Sequence, residues 1–454
     1  MTYFAEIAKR RQQYEDLAAQ AVEIARKKGA DEASVRISGG KGITVSSRHC
    51  EVENLEFNQL QSLSVGVSKG KRNGSASTTD LSLEKITETI ESALNLCEYT
   101  SADECSGLCD ADLMFKGERD LKVLFPYEED ADKIVQMAVA LDKTGHDVAA
   151  QYHEQGLREC ERTSYFTWYG IDSMATSHGF LNSTIESDCS KDISFIAEQE
   201  GQMQRSGSMS VSRDFAKLWD DAVIAKEGAE RTLAKLGATQ VKTGTYQVIL
   251  TRNAAQSLIG AFLNAISGKL IYRNSSFLVD SVGKDVFPEW LSIKEDPWLP
   301  SGLCSFNFDR DGVATFPQDL VADGKLCTYL LSTYTGRKLK LKSNGHASGT
   351  TNLMVVSDET HTKDFDSLLS QAESGLVIES LMGQGVNLVN GNYSRGASGY
   401  YFENGKRVHA VNEITIAGNL KEMFRAIVAV GNDYDERYRI KVGSILLPLV
   451  VSGS

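Results

Sequence analysis

Apolar residues near the start of the chain fall on one side of a helix. Ile7, Leu17, Ala21, Ile24 and Ala25 share a face and Gly29 stands where a C-cap glycine belongs, so residues 2–28 read as an amphipathic helix packed on a sheet. From residue 33 to 79 the period drops to two. Val35 and Ile37 alternate with Ser34 and Arg36, and Leu63, Val65 and Val67 alternate with Ser64, Gly66 and Ser68, as in strands with one face in water. A helix opened near Ser82 follows, with Leu83, Ile86, Ile90, Leu94 and Cys97 spaced by three and four. The same order then recurs: residues 128–143 read as a helix, 157–212 as strands, and 215–236 as a second amphipathic helix. Two α–β–α units predict a layered α/β-sandwich lobe over residues 1–236, with 105–120 as a surface connection between them.

Beyond residue 237 the pattern becomes β-rich. A strand at 246–250 leads into a helix around 254–266, and hairpin turns are expected at Asp311–Gly312 and Asp323–Gly324. Four of the six prolines lie between Pro288 and Pro317, which predicts an extended surface loop. Glycines gather between Gly375 and Gly399. The expectation is an α+β chain of two domains, 1–236 and a β-rich 237–454.

Charge and composition narrow the function. The 454 residues carry 61 Asp and Glu against 48 Lys and Arg, a net charge of −13. Proteins that bind nucleic acid generally collect basic residues to neutralise phosphates, so that role is disfavoured. The longest apolar stretch, 445–451, contains Pro448 and is far shorter than the ~20 residues of a membrane helix, so no membrane is expected either. The first residues lack the apolar core of a secretory signal, and the eight cysteines include no CxxC pair. Both point to a cytoplasmic chain with reduced thiols.

Single motifs do not assemble a catalytic set. Gly383 and Gly385 begin a GxGxxG pattern that fails at Leu388. His153–Glu154 is the only His-Glu pair, and Leu157 and Arg158 stand where a second metal-binding histidine would be. Cys97, Cys105 and Cys109 lack a fourth nearby zinc ligand. Asp309, Asp311 and Gly312 open like a calcium loop, but Leu320 replaces its glutamate and a hairpin turn accounts for them.

A longer pattern is more specific. The segments YRNSSFLVD (272–280), GTTN (349–352), ESLMGQGVN (379–387), GNYSRGASG (391–399), ENG (403–405) and EITIAGNL (413–420) resemble the C-terminal signature of the TldD/PmbA family, and within it the PmbA (TldE) branch. The resemblance implies a cytoplasmic two-component metallopeptidase. In it a TldD-type and a PmbA-type chain pair and cleave unfolded or extended peptides inside a closed cavity. In the TldD branch an HExxxH helix and a late cysteine hold the metal. The matching helix here reads LIGAFLNA (258–265), with Gly260, Ala261 and Ala265 in place of His, Glu and His, and no cysteine follows Cys327. The resemblance therefore implies no metal and no catalytic residue in this chain, zinc in a TldD-like partner subunit, and a homodimer when the chain is alone. Ser394, Arg395, Ser398, Gly399 and Asn352 form the candidate peptide groove, on the expectation that small residues at an exposed strand edge let a peptide add as a strand. Two alternatives stand beside this reading. One is a metallopeptidase active through another ligand set; the other is a regulatory protein acting on gyrase or an antitoxin, as the family's older label of gyrase modulator implies.

Overall fold

A computed structural model describes residues 3–127 and 130–453. In the N-terminal half, helix α1 (Tyr3–Lys27), strands β1 (Glu32–Arg48), β2 (Glu51–Lys69) and β3 (Arg72–Thr78) and helix α2 (Leu83–Cys97) form one unit. Helix α3 (Ala131–Gln151), strands β4 (Leu157–Thr176), β5 (Leu181–Gln199) and β6 (Gln202–Ser212) and helix α4 (Asp221–Leu233) repeat it. The two meanders join through antiparallel β1 and β4 into one six-stranded sheet of order β3-β2-β1-β4-β5-β6.

All four helices cover one face of that sheet. Val35, Ile37 and Val45 share a side of β1, and Tyr165, Ile171 and Ala175 share the matching side of β4. Val35, Ile37, Ile171 and Ala175 pack under α1 and α2, and Val45 and Tyr165 under α3 and α4. Each such apolar side chain contributes about 1.5–3 kcal/mol on burial, which holds the helices in place. The other face is mostly polar, although Trp168 and Met174 lie on it. There Arg36 pairs with Asp172 at 2.7 Å and Ser38 donates to the same carboxylate.

Local signals set the helix ends. The Ser82 side chain caps α2 by accepting from the Lys85 N–H, as predicted. The predicted start at 128 lies outside the described residues, and α3 runs on to Gln151. The helix predicted over 215–236 is shorter. Phe215–Lys217 is one 3-10 turn capped by Asp214, Leu218 is extended at ψ 136°, and α4 starts only at Asp221.

The connection at 105–120 is a strap, not a free surface loop. Met114 bridges to Val313, the Phe115 N–H donates to the Gly312 carbonyl at 3.0 Å, and Arg337 pairs with Asp110 at 2.9 Å. The cause is apolar: Cys109 and Met114 are buried together with Met174, Phe180 and Val313.

The C-terminal half opens with β7 (Gly244–Leu250), α5 (Arg252–Ala265) and α6 (Gly268–Tyr272). Next come β8 (Leu291–Asp296), β9 (Gln318–Ala322), β10 (Lys325–Leu326), α7 (Thr333–Lys338), β11 (Asn352–Ser357), β12 (Thr362–Lys363) and α8 (Phe365–Ala372). It ends with β13 (Ser374–Met382), β14 (Asn392–Glu403), β15 (Lys406–Asn419), α9 (Leu420–Arg425), β16 (Ala429–Gly431), β17 (Ile440–Lys441) and β18 (Ile445–Ser452). One sheet has the order β10-β9-β8-β11-β17. In the other, β7, β13, β14, β15 and β18 pair in turn and β18 returns to β7, so these strands close into a ring. The turn Asp323–Gly324 joins β9 to β10 as predicted, and Asp311–Gly312 lies in a second hairpin closed by the bridge from Phe308 to Ala314. The proline-bearing stretch is not wholly a loop, because it contains β8. The whole is a mixed α+β fold, and among the described residues no helix is long and apolar enough to cross a membrane.

Two buried arginines lock the halves together. Arg213, after β6, donates to the Leu303 carbonyl at 2.7 Å. Arg437, 2% exposed at its side chain, reaches Glu227 on α4 at 2.8 Å, Asp435 at 2.6 Å and the Met209 carbonyl at 2.7 Å.

Candidate functional site

Helix α5 follows β7 and lies in an apolar core shared by the strand ring and the β10-β9-β8-β11-β17 sheet. Leu258, Ile259 and Phe262 are fully buried, and Phe262 meets Phe287 and Phe424 edge-on with centroids 5.0 and 5.9 Å apart. Residues of the sequence signature converge on this helix. Ser276 donates its hydroxyl to the Ala265 carbonyl at 2.5 Å, which satisfies one of the last-turn carbonyls that the helix leaves open. Arg395, on β14, donates to Ser257 Oγ at 2.8 Å and to the Met382 carbonyl at 3.3 Å.

The α5 residues that the resemblance matches to metal ligands, Gly260, Ala261 and Ala265, carry no side-chain donor atom. Nothing lies within 4 Å of where a Gly260 Cβ would be, while Ala261 and Ala265 are buried in the apolar cluster. Among the described residues, no trio of His, Cys, Asp or Glu close enough to share a metal includes a residue of α5 or of the signature strands. A zinc ion bound through an HExxxH helix does not fit these residues.

The five candidate groove residues do not form one surface. Ser394, Arg395, Ser398 and Gly399 fall on β14, whereas Asn352 begins β11 in the other sheet. Strand β14 is hydrogen-bonded to β13 along one side and to β15 along the other, so the open edge expected for strand addition is already filled. Gly399 is buried, and a Cβ there would stand 1.8 Å from the Val377 carbonyl oxygen. Asn352 is buried too; its amide donates to the Asp296 carbonyl at 3.0 Å and to Ser305 Oγ at 2.8 Å, and it accepts from the Cys304 N–H at 3.0 Å. Ser394 is exposed, and Arg395 and Ser398 are half-buried. Small residues permit close backbone approach as readily as an open edge, and here the first use prevails.

A buried network that the sequence reading did not find supports the GTTN segment. Glu295 on β8 accepts from the Thr351 N–H at 2.6 Å, from Thr351 Oγ1 at 2.9 Å and meets His346 Nε2 at 2.8 Å. Its members are far apart along the chain, so no spacing announces them.

The remaining motifs resolve as local structure. His153 and Glu154 lie exposed in a 3-10 turn. Cys97 and Cys109 are buried thiols facing the Val67 and Asp311 carbonyls. Asp309 takes no part in a calcium loop, because its oxygens accept from the Asp311, Val313 and Ala347 N–H groups at 2.9, 3.0 and 2.9 Å. Burial and the neighbouring Asp311 push its carboxyl up to about 6, against those bonds. A folded-state pKa above the unfolded value stabilises at acid pH, and that contribution is lost as pH rises from about 4 to about 6. Asp309→Asn should therefore flatten this part of the stability-against-pH curve in urea titrations, besides lowering stability overall by turning a donor toward the Ala347 N–H. An unchanged slope would contradict the assignment.

The chain belongs to the PmbA/TldD metallopeptidase family. Three domain families match: PmbA/TldA metallopeptidase domain 1 over residues 33–97, the central domain over 126–236 and the C-terminal domain over 243–453. Metalloprotease PmbA of Escherichia coli O157:H7 is 39% identical over 448 residues, covering 99% of this chain and 98% of the relative. The Metalloprotease PmbA homolog of Haemophilus influenzae is 38% identical, covering 96% and 95%. Among solved structures, a Bacteroides thetaiotaomicron protein named for a proposed role in modulating DNA gyrase has a TM-score of 0.89 at 24% identity, covering 97% of this chain and 98% of that one. TldE from Thermococcus kodakarensis has a TM-score of 0.80 at 17% identity, covering 96% and 99%. At these identities the two structures speak for the fold alone.

Proposed function

We propose that this chain is the non-catalytic, PmbA/TldE-type subunit of a cytoplasmic two-component metallopeptidase that degrades or processes unfolded peptides. The catalytic zinc then belongs to a TldD-like partner, and this chain contributes a wall of the cavity and helps to hold the substrate. The observation that carries the reading is α5, a helix of a metallopeptidase family with Gly260, Ala261 and Ala265 at its ligand positions. A zinc ion needs nitrogen, oxygen or sulfur donors, and these side chains have none. The helix also keeps its place without a metal, through Leu258, Ile259 and Phe262 and through the bonds from Ser276 and Arg395.

The N-terminal sheet favours a partner chain. Strand β3 reaches only residues 63–69 of β2, so the edge of β2 before Leu63 is unpaired on that side among the described residues. That stretch carries exposed Val52, Leu55, Phe57 at 68% and Leu60 at 64%. A long edge with apolar side chains is a surface that proteins normally cover. The same edge would serve a second copy when the chain is alone.

The test is a peptide-cleavage assay on the purified chain, alone and mixed with a TldD-like partner, with and without chelator. Chelator-sensitive turnover is expected from the mixture and none from the chain alone. Zinc-dependent turnover by the isolated chain at a rate comparable to the pair would defeat the proposal.

A further inference from the structure

A group of metal-ligating atoms in the N-terminal half has no part in the function proposed above. Asp142 and His146 stand four residues apart on α3 and so share one helix face. The turn joining β1 to β2, formed by His49 and Cys50, folds over that face. One ligand atom from each of Cys50, Asp142 and His146 lies within 4.8 Å of the other two, and His146 Nε2 is 3.5 Å from Asp142 Oδ1. The Asp142 side chain is 0% exposed. Its Oδ2 accepts from Ser47 Oγ and from the Cys50 N–H, each at 2.8 Å, whereas Oδ1 has no hydrogen-bond partner. The buried Nε2 of His146 has none either. Native proteins rarely leave a buried carboxylate oxygen with nothing nearer than an imidazole nitrogen at 3.5 Å and the thiol of Cys160 beside the carboxylate.

We propose that Cys50, Asp142 and His146 bind a divalent cation of the zinc type, which fastens the β1–β2 turn to α3. One thiolate, one carboxylate oxygen and one imidazole nitrogen suit a tetrahedral ion with no geometric preference of its own. Bonds of about 2.0–2.3 Å place tetrahedral ligand atoms about 3.3–3.7 Å apart. The Asp142–His146 pair is therefore already at ligand spacing, and Cys50, on the exposed turn, holds its thiol within 4.8 Å of both. The two donors on Oδ2 hold the carboxylate in orientation, as outer-shell bonds do at metal sites, and leave Oδ1 for the ion. A fourth position is open to water or to His49, whose ring stacks on that of His146 with centroids 6.1 Å apart. The turn backbone has φ of +54° at His49 and +60° at Cys50, values that favour Asn and Gly in two-residue hairpin turns. The chain instead carries an imidazole and a thiol there.

The experiment uses the full-length protein stripped with chelator and titrated with Zn²⁺ against a competing indicator, then with Co²⁺ as a spectroscopic substitute. Wild type and Cys327→Ser, which removes an exposed thiol in the other half, should each take up one Zn²⁺ per chain. Cys50→Ser and His146→Gln should each weaken that uptake at least tenfold, and the Co²⁺ form should show a thiolate charge-transfer band that Cys50→Ser abolishes. The two substitutions lie on different elements, and circular dichroism of the metal-free variants checks folding, so misfolding of one leaves the other as the test. Absence of Zn²⁺ uptake by wild type, equal uptake by both variants, or a Co²⁺ spectrum without the thiolate band would each overturn the proposal.

Discussion

Arg437→Ala should cost about 3–5 kcal/mol of stability, the largest loss expected from a single charge removal in this chain. The guanidinium is buried between Asp435 and Glu227, lies over the Trp219 ring at 4.0 Å and also donates to the Met209 carbonyl. Burial pushes the Asp435 and Glu227 carboxyls up, but the hydrogen bonds and charge of Arg437, together with Arg252 at Asp435 and with Ser208 and Arg231 at Glu227, outweigh it and hold both below their usual range. Removing the side chain leaves Asp435 with Arg252, 3.5 Å away, and the backbone N–H of residue 437 at 3.0 Å, and takes from α4 its strongest link to the C-terminal half. Arg437→Lys should recover only part of the loss, because an ammonium cannot fork onto two carboxylates and stack on an indole at once. Urea denaturation of the three proteins at neutral pH measures this. A loss below about 1 kcal/mol for the alanine variant would mean that the network behaves as an exposed ion pair. The sign with pH is also fixed: carboxyls held low in the fold stabilise at neutral pH, and that contribution disappears as the pH falls through the acid range.

Much of the architecture was legible because it is periodic. The alternation around Val35 and Leu63 and the three-and-four spacing from Ile86 to Cys97 report local geometry, and the recurrence of helix, strands and helix reports the two meanders that β1 and β4 join. Contacts without a period were not legible. The strap at 105–120 docks because Cys109 and Met114 meet Val313, about two hundred residues on, and the ring closes because β18 returns to β7 across a similar gap. The same limit applies to chemistry. A search for HExxH passes over Asp142 and His146, whose four-residue spacing alone is commonplace, and only the folding of the His49–Cys50 turn brings a third ligand to them. The open edge expected on β14 is absent for a different reason: glycine and serine on a strand mark close approach and open edge alike, and the pairing partners of β14 decide between the two.

Gly399→Val should cost at least about 3 kcal/mol, and more if the ring cannot spread to take the added volume. The residue pairs with Ile378 beside a bulge in β13 and with Val411 beside a register shift in β15, and its Cα faces the Val377 carbonyl so closely that even a methyl would overlap the oxygen. β13 also pairs with β7, which leads directly into α5, so displacement at Gly399 is passed to the helix through backbone that has no slack. Thermal melting of the variant should show the loss, and mixing it with a TldD-like partner should give little complex and little turnover. A variant that folds and assembles normally would show that β13 and β14 can separate, and would return Gly399 to the substrate-facing surface. The glycine therefore cannot report on peptide binding by itself, because its failure would be structural. Ser394 and Arg395 can report on it. Ser394 is exposed on the same strand, and truncating half-buried Arg395 frees only Ser257 Oγ and the Met382 carbonyl. If the signature strand touches substrate, Ser394→Glu should leave stability and assembly nearly unchanged while lowering turnover by the pair, and Arg395→Ala, which gives up one bond to α5, should cost about 1 kcal/mol of stability and lower turnover as well. Unchanged turnover in both would assign the signature to the packing of α5 alone.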